Sequence, residues 1–599
     1  MTYSNTYSSP SSPTNFNPFS GMGMRKGGRA TLMPSNYQGD GSTLNLDFTT
    51  GVLDPRLSFS RASTATFVNS SGYVQFANAN LIKNSENCGS WVAAKSITDT
   101  ANAAISPNGT LTADQLNLGS GDYFYQLTAI TNPVGQRYVG SVWMRTVSGT
   151  ASVGLRITNN TTGSNSSITT CSVTETWQRF NTSAFTLTDT ANRQIDVGVD
   201  QRSIVSGPNV SANIYIWGLQ LQPGASVGEY LPTTTTESYS TPRFDYSPTN
   251  IGEPRGLLVE GQTVNLCRRS IDFNNTVTDG TNWNGSAYTI GVLSTQLPDG
   301  STGDARRISI ASAGGSFRSA GETVVASTVY TFSFYARNNG GSQARYRVWN
   351  VTAGSSIVDY TLSGSNYVSQ IGGANNTSST WVRVSVTFTT PVGCTSVFVY
   401  PASSDSGSVD LLVYGAQLEL GSGASSLIPT GASGVTRNAD NCLMTGTNFS
   451  SWFNNTEGTC LFVGDNLFVP AASNFATNWS FSNAANGQRI HNYTRHTNGR
   501  LGASARDSGG TALTFDSPWG SSTNITTTAV YKTAFALKTN DFAYSVNGNT
   551  AGLGDGNGVF ETVTSIEFGR DGIRNGHIKQ FKFFPTRLPN AQLQTLTAP

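Results

Sequence analysis

The sequence has 599 residues, of which 12% are charged, and its formal net charge is +1. The charged share is half of the ~25% typical of soluble domains, and a near-neutral chain lacks the basic surface of a nucleic-acid-binding protein. No stretch reaches the ~18 consecutive apolar residues of a membrane span, and residues 1–20 lack the apolar core of a secretory signal. We therefore expect a protein that is made in the cytoplasm, binds no nucleic acid and does not insert into membranes.

Residues 1–45 are rich in Ser, Asn, Pro and Gly and contain one basic patch, formed by Arg25, Lys26 and Arg29. This composition is typical of a disordered tail, but also of an arm that becomes ordered when it docks on a larger assembly. We favour the docking arm, with the basic patch as its anchoring residues.

Two long stretches in the middle of the chain repeat the same landmarks in the same order. Residues 216–221 (IWGLQL) are matched by 413–418 (VYGAQL), and residues 176–179 (TWQR) are matched by 380–383 (TWVR). A repeat longer than a hundred residues indicates two tandem copies of one domain and not a solenoid. We place the two copies at 80–235 and 265–432.

Abundant Gly, Ser, Thr and Asn, together with alternating apolar and polar residues, predicts short strands joined by many turns. Each copy is therefore expected to form a β-sandwich. Trp177 and Trp381 occupy equivalent positions in the two copies, as do Trp217 and Tyr414, and such pairing in alternating strands favours a place in the core.

Two further runs flank the first copy: FSRASTAT at 59–66, and PRFDY at 242–246 followed by GLLVE at 256–260. These runs resemble a recurrent element of tailed-bacteriophage virion proteins, in which the two halves are nearly adjacent. Here the first copy separates them. We expect residues 46–79 and 236–264 to form a small β platform into which the first copy is inserted.

The last part of the chain, 433–599, ends in the run GHIKQFKFFPTRLPNAQLQTL at 576–596. This run resembles the concanavalin-like, laminin-G-like sandwich at the ends of phage fibres and minor structural proteins, and the two middle copies resemble the jelly rolls of carbohydrate-binding modules. The predicted fold is all-β. It consists of serial β-sandwich (jelly-roll) domains, two of them a tandem duplication, with a C-terminal concanavalin-like sandwich and an extended N-terminal arm.

Sugar recognition combines an aromatic ring with polar side chains that bind hydroxyl groups. Aromatic residues without a counterpart, in polar loops of the last domain, are the best candidates for such a site; the alternative is a pair of solvated strands with polar outer faces. The candidate glycan-binding residues are Trp479, Tyr493, Arg495, His496, Asn498 and Asp507.

We expect no metal and no cofactor. Residues 555–558 (DGNG) lack the spaced acidic ligands of a calcium loop. The six cysteines form no CxxC motif, which favours free buried thiols; a bond between Cys442 and Cys460 is the alternative.

We also expect no enzymatic activity. Residues 224–228 (GASVG) match the GxSxG pattern of a nucleophilic serine, but no helix is predicted to follow, and the second copy has Gly423 in place of Ser226. The paired carboxylates of a glycosidase form no recognisable cluster in the sequence.

The resemblance implies a bacteriophage virion appendage of the tail fibre or spike type. Such a protein anchors to other virion proteins (tail adaptor, portal or capsid) through its N-terminus, binds host-surface polysaccharide and is a homo-oligomer, usually a trimer. A non-adhesive capsid-decoration or connector-associated protein is the alternative, and a polysaccharide depolymerase is the third possibility. In each case the expected location is the virion.

Overall fold

The computed structural model describes residues 39–94, 97–130, 135–159, 165–187, 193–276, 280–363, 381–468, 475–483, 489–495, 501–506, 512–516, 529–554, 562–572 and 574–599. This part of the chain is almost entirely β, with two short α-helices, Gly446–Ser450 and Asn590–Thr597, and 3₁₀ turns at Phe48–Thr50, Cys88–Ser90, Ser203–Val205 and Arg570–Gly572. None of the helices described is long and apolar enough to cross a membrane. The prediction of an all-β fold is confirmed.

The first module is a sandwich of two antiparallel sheets. The strands from the first described residues to the end of this module are β1 Leu44–Asp47, β2 Ser58–Ser60, β3 Thr66–Val68, β4 Val74–Phe76, β5 Val92–Ala94, β6 Thr98–Ile105, β7 Leu111–Leu118, β8 Tyr123–Ile130, β9 Arg137–Thr146, β10 Ala151–Asn159, β11 Asn165–Val173, β12 Gln178–Asn181, β13 Phe185–Thr186, β14 Arg193–Asp200 and β15 Ala212–Pro223. One sheet has the order β11-β10-β14-β8-β5; the other has the order β12-β9-β15-β7-β6, with β13 beside β9.

The second module repeats this topology strand for strand. The next strands are β16 Arg243–Tyr246, β17 Pro254–Glu260, β18 Thr263–Asn265, β19 Asn284–Ser286, β20 Thr289–Gln296, β21 Thr302–Ile310, β22 Ser316–Arg318, β23 Glu322–Thr323, β24 Val329–Asn338, β25 Gln343–Asn350, β26 Ser355–Ser363, β27 Val382–Thr389, β28 Ser396–Ser403 and β29 Val409–Leu420. Its sheets, β26-β25-β28-β22-β19 and β27-β24-β29-β21-β20, match the two sheets of the first module in order. The structure therefore confirms that the module is duplicated.

Side-chain hydrogen bonds are duplicated as well. Asn80 Nδ2 donates to the carbonyl oxygen of Leu219 at 3.0 Å. Asn265 Nδ2 donates to the carbonyl oxygen of Ala416 at the same distance. Both asparagines are fully buried, and a buried amide needs such partners. These bonds account for the buried asparagine at the start of each module, Asn80 in the first and Asn265 in the second.

The third sandwich contains the C-terminal strands but is not built from them alone. The remaining strands are β30 Val435–Arg437, β31 Asn441–Thr445, β32 Glu457–Gly464, β33 Phe475–Ser482, β34 Arg489–Arg495, β35 Leu501–Arg506, β36 Ala512–Asp516, β37 Tyr531–Lys538, β38 Phe542–Val546, β39 Gly552–Gly554, β40 Ser565–Phe568 and β41 Asn575–Phe584. One sheet runs β16-β17-β41-β32-β37-β38-β39 with β1 beside β41, and the other runs β2-β31-β40-β33-β34-β35-β36.

The separate platform predicted for residues 46–79 and 236–264 is therefore wrong in part. The two segments do meet, but four of their strands, β1, β2, β16 and β17, belong to the two sheets of the third sandwich. Both modules are insertions into this sandwich: the first lies between β4 and β16, and the second between β18 and β30. The order is nested and not serial, because strand pairing across the insertions buries apolar strand faces that the last 167 residues alone leave open.

The first module joins this sandwich at a narrow neck. Asn80 and Ser238 form an isolated antiparallel bridge in which each backbone amide donates to the carbonyl of the other at 2.9 Å. At the second module, β18 and β30 pair in the same antiparallel way. Each module thus leaves the third sandwich and returns to it at one point.

Three charged residues of the sequence runs, Arg61, Arg243 and Glu260, meet Arg437 and Asp440 in one buried cluster, which we call the arginine hub. Arg243 Nη1 donates to Glu260 Oε2 at 2.6 Å, and Arg61 Nη1 donates to Asp440 Oδ1 at 3.1 Å. Every member is at least 95% buried. The hub connects three segments that are distant in sequence, and hydrogen bonds to neighbouring groups offset the cost of burying its charges.

All six cysteines are buried and none forms a disulfide bond. The prediction of free buried thiols is confirmed, and the alternative bond between Cys442 and Cys460 is not formed. Burial raises the pKa of Cys171 to about 11.

Candidate functional site

The outer face of one sheet of the first module carries a cluster of aromatic and charged residues. In β14, the side chains of Ile195, Val197 and Val199 point into the core. Side chains alternate along a strand, so Asp196 and Asp200 point to the opposite face of the sheet. Directly paired residues share a face, so the residues of β8 and β10 that pair with Asp196, Gly198 and Asp200 also lie on this face.

Gly198 forms the floor of a shallow depression in this face, which we call the cup. It pairs with Arg156 on one side and with Tyr125 on the other. A Cβ atom at this position would lie 2.2 Å from the carbonyl oxygen of Phe124. A side chain here would collide with the neighbouring strand, so the floor of the cup carries none. The cup is lined by Tyr125, Arg156, Asp196, Gly198, Val199 and Asp200.

Two tyrosines form an aromatic surface beside the cup. The rings of Tyr123 and Tyr125 are nearly parallel, with centroids 5.6 Å apart and an interplanar angle of 4°. The guanidinium carbon of Arg202 lies 3.5 Å from the centroid of Tyr123. Asp200 holds that guanidinium by accepting hydrogen bonds from Nε at 2.9 Å and Nη2 at 2.6 Å. The ring surface is therefore fixed before any ligand arrives, which lowers the entropic cost of binding.

Two polar groups in the cup have no hydrogen-bond partner in the protein: Asp196 Oδ1 and Arg156 Nε. Asp196 is 95% buried. Burial raises its pKa to about 7, although nearby Arg156 acts in the opposite direction. Buried polar atoms are nearly always paired, with protein, water or ligand. The cup has a volume of about 10 Å³, which fits one water molecule, and such a water can bridge these two buried atoms to a ligand that carries hydroxyl groups.

The second module lacks this cup. In β25 and β28, Arg347 pairs with Tyr400, whereas the corresponding pair of the first module is Arg156 with Gly198. Tyr400 places an aromatic ring at the position where the first module has a glycine, and the Cζ atom of Arg347 lies 5.0 Å from the centroid of that ring. The two copies share a fold but differ at this position.

Two of the predicted site residues occupy other places than expected. Trp479 lies in β33, is 1% exposed and packs against Phe481 and Phe581. Tyr493 lies in β34 and is 3% exposed. The prediction that they sit in polar loops is wrong, because both lie in strands: Trp479 faces the core, whereas Tyr493 lies on the opposite face of its sheet and packs against Phe475 and His491. Neither ring has a face open to a sugar.

The other predicted residues are not brought together in a described site. Arg495 ends β34 and is half-buried. His496, Asn498 and Asp507 lie outside the described residues, and so do the anchoring residues Arg25, Lys26 and Arg29 and the 555–558 loop. The glycan-binding and anchoring roles of these residues stay predictions.

The paired aromatics are only partly in the core. Trp217 is 4% exposed, but it belongs to a small separate cluster with Trp143, Trp177, Tyr215 and Tyr230 on the outer face of the second sheet. Trp381 and Tyr414 are half-buried in the corresponding cluster of the second module. These residues form a small aromatic cluster on the outer face of one sheet in each module, and the main cores lie between the two sheets.

Sequence reasoning missed the cup. Its only signals are Tyr-x-Tyr at 123–125 and the run DVGVDQR at 196–202, in which charged residues and glycine alternate with valine. Neither is specific, because their proximity depends on the register between β8, β10 and β14.

No protein-family model matches this sequence, and comparison with curated proteins gives no match. Among solved structures, the CBM40 module of the Ruminococcus gnavus IT-sialidase is 14% identical, with 25% of this chain and 88% of that chain covered and a TM-score of 0.21. The CBM22-1-CBM22-2 tandem of Paenibacillus barcinonensis Xyn10C is 10% identical, with 60% and 100% covered and a TM-score of 0.20. The receptor-binding domain of a botulinum neurotoxin C/D mosaic serotype is 12% identical, with 26% and 40% covered and a TM-score of 0.22. At these TM-scores, no function follows from the matches.

Proposed function

We propose that this protein is a bacteriophage virion appendage of the tail fibre or spike type that binds host-surface glycan through the cup of its first module. The observation that carries the binding role is the cup itself. A fixed pair of tyrosine rings lies next to a buried acceptor, Asp196 Oδ1, and a buried donor, Arg156 Nε, which have no partner in the protein.

A pyranose ring matches this arrangement. Its apolar face stacks on Tyr125, and its hydroxyl groups reach Asp196 and Arg156 through a water molecule held in the cup. Each new hydrogen bond adds about 1 kcal/mol, so one cup gives weak binding, on the order of millimolar. Several copies on one particle would raise the avidity by ~10²–10⁴ when they engage the same surface.

The virion role is supported by the sequence runs that resemble phage structural proteins. Their charged residues Arg61, Arg243 and Glu260 lie in the arginine hub, the point at which the third sandwich carries both modules. In this proposal, the third sandwich is the base, the modules project from it, and the N-terminal arm with Arg25, Lys26 and Arg29 attaches a homo-oligomer to the particle.

The proposal includes no hydrolysis of the glycan. Asp196 and Asp200 are four residues apart on one strand, which separates their Cα atoms by ~13 Å. Paired glycosidase carboxylates lie ~5–9.5 Å apart. Asp200 is also fully engaged by Arg156 and Arg202. The two carboxylates therefore suit binding better than acid–base catalysis.

The test is binding of the purified full chain to intact host cells and to cells stripped of surface polysaccharide. We expect binding that disappears on stripping and weakens in Tyr125→Ala and Asp196→Asn, with no release of sugar. Tyr215→Ala is the matched control, because Tyr215 is also a half-buried tyrosine on an outer face but belongs to the opposite sheet of the same module. Equal binding to stripped cells would refute the adhesive role and favour a non-adhesive decoration protein, and sugar release would favour a depolymerase.

A further inference from the structure

The second module carries a different cluster on the sheet face that corresponds to the cup face. In β25 and β28, Val348, Val397 and Val399 are fully buried in the core. Strand alternation therefore directs Arg347 and Phe398 to the outer face. The outer residues of this face form what we call the arginine ladder: Arg318, Arg345, Arg347, Trp349, Phe398 and Tyr400.

Two guanidinium groups of the ladder are stacked on aromatic rings. The Cζ atom of Arg318 lies 3.4 Å from the ring centroid of Phe398. The Cζ atom of Arg347 lies 4.9 Å from the centroid of Trp349 and 5.0 Å from that of Tyr400. Stacking fixes the plane of a guanidinium and leaves its in-plane N–H groups directed outward along the edges.

The positive charge of the ladder is not fully compensated. Arg345 forms a bidentate pair with Asp359 and lies 3.9 Å from Asp405. For Arg347, the nearest carboxylate oxygen, on Asp359, is 3.9 Å from Nε, and this Nε is buried without a hydrogen-bond partner. Three arginines thus face two carboxylates.

The positive charge of Arg318 is compensated even less than that of Arg347. Its Nη1 donates to the backbone carbonyl of Ser319 at 3.2 Å, and no carboxylate of the described residues lies within ion-pair distance. Burial lowers the pKa of Arg318, with Tyr400 acting in the opposite direction. A partly desolvated cation without a counter-charge gains more from an incoming anion than a solvated one.

We propose that the arginine ladder is a binding site for polysaccharide that carries carboxylate groups. A sugar carboxylate accepts two parallel N–H hydrogen bonds from one guanidinium fork, and the sugar ring covers the adjacent aromatic edges of Trp349 and Phe398. The cup differs in charge: there Asp200 already pairs with both Arg156 and Arg202. The duplicated modules therefore offer two chemistries, hydroxyl recognition in the first and carboxylate recognition in the second.

The experiment measures binding of the full chain to polygalacturonate and to the same polymer after methyl esterification, which removes the charge and keeps the sugar. We expect binding to the acid form that falls steeply as salt rises, and no binding to the ester. The double variant Arg318→Gln/Arg347→Gln weakens binding by about tenfold or more, because each charge-assisted hydrogen bond contributes ~1.5–3 kcal/mol.

Arg307→Gln is the matched control. Arg307 lies on the other sheet of the same module, where it pairs with Asp410 at the surface, and its loss removes one positive charge without touching the ladder. Arg347→Lys keeps the charge but loses the fork, so it also weakens binding. Equal binding to acid and ester polymers, equal losses in the double variant and in Arg307→Gln, or equal binding of polyglutamate would each overturn the proposal. Thermal unfolding of each variant confirms that it is folded.

Discussion

Arg243 and Asp440 form a completely buried ion pair although they are 197 positions apart in the sequence, with the whole second module between them. Asp440 also accepts a hydrogen bond from Arg61 Nη1 at 3.1 Å and one from the backbone amide of Glu260 at 2.9 Å. One carboxylate thus connects the segment before the first module with the segments on both sides of the second. The arginine hub ties the base together at the places where the two insertions interrupt it.

Removal of this carboxylate should destabilise the base strongly. In Asp440→Asn, the guanidinium groups of Arg61 and Arg243 lose a buried counter-charge, and breaking a buried pair in this way costs ~3–5 kcal/mol. Denaturant unfolding measures the effect. Asp410→Asn is the control: its partner Arg307 is 44% exposed in its side chain, so we expect less than ~1 kcal/mol. Similar losses in the two variants would contradict the role of the hub.

His577 links the last strand of the base to two buried carboxylates. Its Nε2 lies 2.8 Å from Asp245 Oδ2, and its Nδ1 lies 2.8 Å from Asp465 Oδ1. Burial lowers the pKa of His577, but the charge of Asp465 and its hydrogen bonds outweigh this effect and raise the pKa above 6.5. Burial likewise raises the pKa of Asp465, but the positive charge of His577 lowers it to about 2.

These shifts set a pH window. Because the pKa of His577 is raised, His577 stabilises the folded chain below pH 6.5, and this contribution is lost as the pH rises through its folded-state pKa. Because the pKa of Asp465 is lowered, Asp465 stabilises the folded chain above pH ~4, and this contribution is lost as the pH falls toward 2. We expect the free energy of unfolding of the native chain to exceed that of His577→Gln most between pH 4 and 6.5. A difference that instead grows from pH 6 to 9 would show that the histidine is buried neutral.

We expect Asp196 to lower the stability of the folded chain at neutral pH while contributing to glycan binding. Burial raises the folded-state pKa of Asp196 from 3.8 to about 7, so the folded chain holds a proton that the unfolded chain releases, and stability falls as the pH rises from 4 to 7. Asp196→Asn removes this loss. We expect the variant to unfold at a higher temperature than the native chain at pH 8, yet to bind host polysaccharide more weakly. A variant that is less stable at pH 8 would show that the carboxylate has a partner in the folded chain.

The sequence was informative where a feature is repeated or local. Matching landmarks such as Trp177 and Trp381 predicted the duplicated topology, because equivalent side chains make equivalent contacts. The cup was missed since it depends on one glycine, Gly198, and on pairings between strands 40 residues or more apart. The prediction for Trp479 was wrong because it was based on the polar residues beside it in the sequence, whereas strand alternation determines that its ring faces the core.

The nested architecture makes one module removable and the C-terminal region dependent on distant segments. β1 pairs with residues 580–583 of β41, and β17 pairs with residues 575–578 along the same edge. A fragment of residues 433–599 lacks both strands and leaves that edge and the adjoining core open, so we expect it to aggregate.

Replacing residues 81–237 by a short Gly-Ser linker keeps every strand of the base and joins Asn80 to Ser238, which already pair. This shortened chain should unfold cooperatively with a β-type circular dichroism spectrum, whereas the fragment should not. If the fragment folds alone and the shortened chain does not, the C-terminal sandwich is autonomous, and the pairing of β1 and β17 with β41 contributes little to its stability.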